Sequence, residues 1–221
     1  MRIEFLGHAC FLLEDAQTRV LIDPFLTGNP LAPIQADQVE VDYILVTHGH
    51  HDHVGDAVEL AKGTGAVICT TVEVAAELFE PQGLKVKAGN IGGRIQTSFG
   101  SVKLVPAQHG SGVPGGLACG FVLEMGGEKI YHAGDTGLFS DLELLQHEGL
   151  DVALLPIGDY YTMGPADAVR AVEMIRPQMV IPMHYNTFSA IKQDPHQFKK
   201  SVEALDLCPV VILEPGQSLE L

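Results

Sequence analysis

Four histidines and an aspartate crowd into Thr47-His48-Gly49-His50-His51-Asp52-His53. Imidazole and carboxylate at this density are ligands for a divalent metal ion rather than the make-up of a polar surface turn. The cluster follows an apolar run at 43–46 that reads as a strand and precedes a helical pattern. Side chains two apart leave a strand end on the same side, so His48 and His50 can share one ion. Asp52 and His53 sit in the turn into the helix and can reach a second ion. His51 falls out of phase and reads as a spacer.

A two-metal site needs further ligands, and three stand at strand ends: His109 after the run at 102–107, Asp135 after 130–133, and His184 after 179–183. Taken singly, each reads as structural: a loop histidine, a turn aspartate in Gly-Asp-Thr-Gly and a core histidine. His8, after the first strand, is a proton-donor candidate or a structural histidine. Tyr160 and Tyr161 follow the run at 152–157, and Tyr185 and Asn186 follow His184; all four are candidates to touch substrate. Rim packing is the alternative for the tyrosines. No group of arginines offers a phosphate clamp, since Arg94, Lys192 and His196 are isolated.

The elements that must position these residues are short. β-Branched or apolar runs bounded by turn residues predict strands at 3–6, 10–14, 19–22, 43–47, 66–70 and 102–107, then at 120–124, 130–133, 152–157, 179–183 and 210–213. Ala168, Ala171, Val172 and Ile175 form an apolar stripe at helical spacing, opened by Gly164-Pro165 and closed by Arg176-Pro177. There is also an internal echo. Ala9-Cys10, Asp42-Tyr43, Asp56-Ala57-Val58 and Val67-Ile68 recur in order as Ala118-Cys119, Asp151-Val152, Asp167-Ala168-Val169 and Val180-Ile181. This predicts one domain, 1–221, made of two similar halves at about 1–110 and 111–221.

Composition narrows the class. The 221 residues are 46% hydrophobic and 19% charged, enough to bury a sizeable core and too apolar for a disordered chain. With 28 acidic against 13 basic residues, the formal charge is −15. Such a chain is a poor partner for nucleic acid or an anionic membrane. No apolar run is long enough to span a membrane, and the N-terminus lacks a signal-peptide pattern, so the expected compartment is cytoplasmic. The four cysteines are scattered and read as buried free thiols.

The series His48-x-His50-x-Asp52-His53, His109, Asp135, His184 resembles the metal-ligand series of the metallo-β-lactamase superfamily. Gly7-His8-Ala9-Cys10-Phe11, Leu21-Ile22-Asp23-Pro24, Ala133-Gly134-Asp135-Thr136-Gly137, Thr162-Met163-Gly164-Pro165 and His184-Tyr185-Asn186-Thr187-Phe188 resemble one branch of it. That branch holds small bacterial and archaeal metal-dependent hydrolases without an agreed substrate and is similar to the ascorbate-phosphate lactonases. Ser189 departs from the proline of that pattern, which bears on local loop shape. The resemblance implies an α/β fold, a four-layer αββα sandwich of two similar halves with the site at one edge. It implies that His48, His50 and His109 hold one ion, that Asp52, His53 and His184 hold the other, and that Asp135 bridges. It implies that Asp23 orients a ligand histidine.

The expected chemistry is hydrolysis of an ester-type bond in a small molecule, phosphodiester or lactone. A hydroxide shared by two divalent ions would attack, with Asp52 accepting its proton. Zinc is the first expectation, and manganese, iron or nickel share these ligands. An iron-dependent oxidoreductase or dioxygenase of the same fold, a ribonuclease and a metal-binding protein without catalysis are the alternatives. Diiron members of the superfamily generally carry glutamate where His50 stands, which argues against the first. Acidity argues against the second. Oligomeric state is not legible.

Overall fold

The computed structural model describes residues 1–221. Its strands are β1 (Arg2–Phe5), β2 (Phe11–Glu14), β3 (Arg19–Ile22), β4 (Tyr43–Leu45), β5 (Val67–Thr71), β6 (Val86–Gly89), β7 (Arg94–Gln96), β8 (Gly100–Pro106), β9 (Cys119–Met125), β10 (Glu128–His132), β11 (Val152–Pro156), β12 (Met179–Met183) and β13 (Ser218–Glu220). Its helices are α1 (His51–Val54), α2 (Ala57–Thr64), α3 (Val72–Val74), α4 (Pro165–Ile175) and α5 (Pro195–Ala204), with a 3₁₀ segment at Ser140–Glu148. No helix is long and apolar enough to cross a membrane.

The strands form two sheets, ordered β13-β1-β2-β3-β4-β5-β6 and β12-β11-β10-β9-β8-β7. Side-chain alternation decides what faces what. In β2, Phe11 and Leu13 point into the large core between the sheets, while Leu12 points out beneath α2 and α3. Tyr43 and Leu45 of β4 likewise point in, and Ile44 points out. In β11, Val152 to Leu155 all lie in the large core, because α4 covers the outer face. The buried stripe of α4 is the one expected from its spacing. Pro165 stands in its first turn, and Arg176, in a left-handed conformation, ends it. The layers are helix, sheet, sheet, helix.

Strand pairing repeats between the sheets. β1-β2-β3 are antiparallel and β3-β4-β5 parallel; β8-β9-β10 are antiparallel and β10-β11-β12 parallel. Two members of the sequence echo make the same bond in each half. The Asp42 carboxylate accepts from the Arg19 backbone N–H at 2.9 Å, and Asp151 accepts from that of Lys129 at 2.8 Å.

Three expectations need correction. The division near residue 110 is displaced: β7 and β8 already belong to the second sheet, and β13 returns to the edge of the first. Residues 210–213 form no strand. Val210 makes one bridge to Val180, and Pro209 beside it has no N–H with which to extend a ladder. β6, β7 and β13, absent from the expected set, are edge strands of three or four residues, too short for their pattern to mark them; their pairing decides them.

Directions matter most for function. β1, β3, β4 and β5 run one way in the first sheet, as do β8, β10, β11 and β12 in the second. His8, Asp23, His48, His109, Asp135 and His184 all leave the C-terminal ends of these strands. The fold gathers them at one edge.

Candidate metal centre

The seven expected ligands come together. His48 Nε2 lies 3.0 Å from His50 Nδ1, which lies 3.2 Å from His109 Nε2. Nitrogens about 2.05 Å from a tetrahedral zinc are about 3.3 Å apart, so this spacing is that of ligands sharing an ion. Asp52, His53 and His184 form a second group together with His8, their ligand atoms all within 4.8 Å of one another. Asp135 stands between the two. Its Oδ1 is 3.2 Å from both His53 Nε2 and His184 Nε2, and its Oδ2 is 3.5 Å from His109 Nε2.

Loop geometry brings these atoms into range. The Gly49 N–H donates to the Ser111 carbonyl at 2.7 Å, and Gly112 adopts φ +72° against it. A Cβ on Gly112 would lie 2.5 Å from the Gly49 carbonyl carbon, so only glycine lets the His109 loop close on the His48 loop. His8, Asp23 and His184 also hold positive φ, at 61°, 45° and 55°. Such strain in three buried non-glycine residues clusters where a site demands it.

A fully buried carboxylate sets the histidine tautomers. Asp23 accepts from the Thr47 backbone N–H at 2.8 Å and from the Thr47 hydroxyl at 2.7 Å. It also accepts from His53 Nδ1 at 2.7 Å. Because the Thr47 hydroxyl donates to Asp23, it accepts from His48 Nδ1 at 3.0 Å. Both imidazoles are therefore held through Nδ1–H, which leaves Nε2 as the atom each can offer an ion: His53 Nε2 lies 3.2 Å from Asp135 Oδ1 and His48 Nε2 lies 3.0 Å from His50 Nδ1.

His8 is not a free acid. It is fully buried, with Nε2 3.1 Å from Asp52 Oδ2 and Nδ1 2.8 Å from Thr187 Oγ1. A carboxylate only accepts, so His8 donates to Asp52 and takes the Thr187 hydroxyl proton. Burial pushes its pKa down to about 4, against the opposing pull of Asp52, so the ring is neutral near pH 7. Its place is to orient Asp52. Asp52 is the more accessible partner, with a side chain 28% exposed. Burial works to raise its pKa, but the hydrogen bond from His8 and the neighbouring His53 hold it well below the usual carboxylate range.

The remaining candidates divide. Tyr160 and Tyr161 are exposed, edge-on to each other at 4.8 Å, on the loop after β11. That loop joins the site because the Met163 N–H donates to the Thr136 carbonyl at 2.9 Å. Tyr185 turns away instead: it is buried in the large core, and burial, then Glu214, push its phenol up to about 12. The Asn186 side chain accepts from the Gln193 N–H at 2.9 Å, so it shapes its own loop. His51 is exposed and touches only the edge of Phe25 among the aromatic rings. Cys10 and Cys119 are fully buried, and burial first, then the nearby Asp23 charge, raises both thiols far from ionisation.

Three contributors escaped the sequence reading: Thr47, Thr187 and His132. His132 accepts from the Gly134 N–H at 3.1 Å, so its Nε2 donates to the Ala9 carbonyl at 2.9 Å. It thereby ties the Asp135 loop to the His8 loop across the two sheets. The Thr-His dipeptide was visible as a sign for Thr47. Nothing local marks the other two.

The donor set fits divalent metal. His53 Nε2, His184 Nε2 and Asp135 Oδ1 are buried without a hydrogen-bond partner, although Asp135 Oδ1 lies 3.2 Å from each nitrogen. Buried polar atoms are rarely left so unless an ion or water completes them. Seven nitrogen and oxygen ligands in two groups, with partners fixed behind His48, His53 and Asp52, suit such ions.

A family model for the β-lactamase superfamily domain matches residues 2–184. A UPF0173 metal-dependent hydrolase of Heliobacterium modesticaldum is 50% identical, covering 100% of this chain and 98% of that one. Another, from Symbiobacterium thermophilum, is 49% identical over the whole of both chains. Among solved structures, Igni18, a metallo hydrolase of the archaeon Ignicoccus hospitalis, superposes with a TM-score of 0.92 at 36% identity, covering 100% of this chain and 98% of that one. By fold, site geometry and relatives, the chain belongs to the β-lactamase superfamily, among its UPF0173 metal-dependent hydrolases.

Proposed function

We propose that this protein is a binuclear metal-dependent hydrolase of a small-molecule ester-type bond, phosphodiester or lactone. His48, His50 and His109 would hold one divalent ion; Asp52, His53 and His184 would hold the other; Asp135 would serve both. The observation that carries this is the convergence of unpartnered, buried His53 Nε2, His184 Nε2 and Asp135 Oδ1 beside the His48, His50 and His109 trio. Zinc suits such nitrogen-rich ligands, and manganese, iron and nickel accept them too.

Two bound divalent ions supply Lewis acidity that makes water nucleophilic near neutral pH and polarises the electrophile. The chain's own groups do the rest. Asp52 keeps Oδ2 on His8, and as a ligand it would also orient the attacking water and accept its proton. His8, locked between Asp52 and Thr187, holds that carboxylate in one orientation. Asp23 keeps His48 and His53 in the ligating tautomer. No thiol takes part, because Cys10 and Cys119 are buried and protonated.

The test is one initial-rate comparison on metal-reconstituted protein, with a chromogenic phosphodiester and a chromogenic lactone and a chelated control. Two metal equivalents per chain and chelator-sensitive cleavage of either substrate are expected. Full metal loading without hydrolysis of any ester would overturn the reading.

A further inference from the structure

We propose that the substrate is an uncharged carbonyl compound, an ester or lactone, carrying an apolar substituent that lies against Phe188. This rests on the hydrolase reading above and narrows its bond type. In the reaction, water adds to the carbonyl carbon and the carbon–oxygen bond to the leaving alcohol breaks. The products are the carboxylate, the alcohol and one proton.

Charge is the first support. Seven loops make up the site end of the molecule: 6–10, 23–29, 46–56, 107–118, 133–139, 157–164 and 184–194. Of the chain's 13 lysines and arginines only Lys192 falls in them, toward the end of the last loop away from His184. The ion pairs of Asp23, Asp52 and Asp135 are to histidines alone. An anionic group remote from the reacting atom would meet no cluster of guanidinium or ammonium groups, in a chain of formal charge −15.

Shape and polarity are the second. Eight large apolar or aromatic side chains stay exposed, and four of them, Leu117, Tyr160, Tyr161 and Phe188, stand on these same loops. Phe188 packs edge-on to His8, with ring centroids 5.3 Å apart, and lies 6.3 Å from Phe25. Phe25 is itself edge-on to His8 at 5.7 Å. The buried His8 and Phe25 thus back the Phe188 ring, which is 37% exposed and presents its apolar face beside the site. Exposed apolar groups gathered at a site mark what it takes from water.

The experiment uses the full metal-loaded chain and δ-lactones bearing a methyl, a heptyl or a carboxylate-ended heptyl substituent, with bis(4-nitrophenyl) phosphate alongside. Metal content is measured on every sample. A methylene fully removed from water is worth about fourfold in binding, so a few half-covered ones give about tenfold. The heptyl lactone is expected to exceed the methyl lactone about tenfold in kcat/KM, through KM. The carboxylate-ended lactone should lose that gain. Phe188→Ala should raise KM for the heptyl lactone about tenfold more than for the methyl lactone, at unchanged metal content. Preference for the phosphodiester would overturn the substrate class and leave the hydrolase reading standing. A Phe188→Ala variant with altered sedimentation and no change in chain-length preference would also overturn it, because the rim would then be covered by a second copy. No chelator-sensitive cleavage of any probe, with both metals bound, would instead overturn the hydrolase reading beneath it.

Discussion

Replacing Asp23 with asparagine tests how the site is assembled, because the substitution keeps the shape and removes one acceptor. Asp23 accepts three hydrogen bonds in a fully buried position, from the Thr47 N–H, the Thr47 hydroxyl and His53 Nδ1. If the asparagine oxygen faces His53, its NH₂ meets the Thr47 N–H, donor against donor. If it flips, the NH₂ donates to His53 Nδ1 and forces the imidazole proton onto Nε2, the atom turned to Asp135. Either way a bond to a charged group is lost, worth about 1.5–3 kcal/mol. Partners of this kind change metal affinity about 10- to 100-fold, which agrees with that energy. The assay is chelator-competed titration with cobalt or zinc, resolving two binding steps. Asp23→Asn should weaken the ion held by His53 by about 10- to 100-fold. Thr47→Val removes the link to His48 and leaves the bond from His53 to Asp23 in place. It should weaken the other ion, held by His48, and spare the first. Wild-type affinity at both steps in Asp23→Asn, with a native circular dichroism spectrum, would refute the tautomer argument. So would a Thr47→Val variant whose His53 step moves more than its His48 step.

Asp135→Ala removes the carboxylate that faces both ligand groups; metal content by elemental analysis should fall below two equivalents, and hydrolysis should be abolished. His51→Ala should change kcat/KM less than about threefold, since His51 is exposed and touches only Phe25 among the aromatic rings; a loss as large as that of His50→Ala would count against the strand-phase argument. Burial lowers the pKa of His132, so the folded state holds it neutral while the unfolded state protonates it near pH 6.5. Its contribution to stability is therefore complete above about pH 6.5 and is lost as the pH falls below that value. Urea unfolding of the metal-free protein should show stability dropping on that acid side, less steeply in His132→Asn.

The sequence by itself determined the strands that carry the site. Residues 19–22 and 179–183 are strands with the expected bounds, because β-branched runs between turn residues satisfy both faces of a buried sheet. It also marked the ligand candidates of the His48 to His53 cluster by residue type, although β4 ends at Leu45 and a bend, not a continuing strand, places His48 and His50. Relations between distant residues were legible only through family resemblance or not at all. His8 and Asp52 are 44 residues apart and His8 and Thr187 are 179 apart, yet they form one chain of hydrogen bonds. His132 reads as an ordinary strand residue until the two sheets face each other and put the Ala9 carbonyl against it. Tyr185 and Asn186 looked equally placed beside His184. The backbone at His184 and Asn186 has positive φ, and it sends the phenol inward and the amide into its own loop. β13 has three residues, too few for its alternation to be a signal; it exists because β1 offers an open edge. Local preference selects the elements and their faces. The packing of one sheet on the other chooses partners across the chain, and a hydrogen bond between residues far apart leaves no mark at either end until that packing has formed.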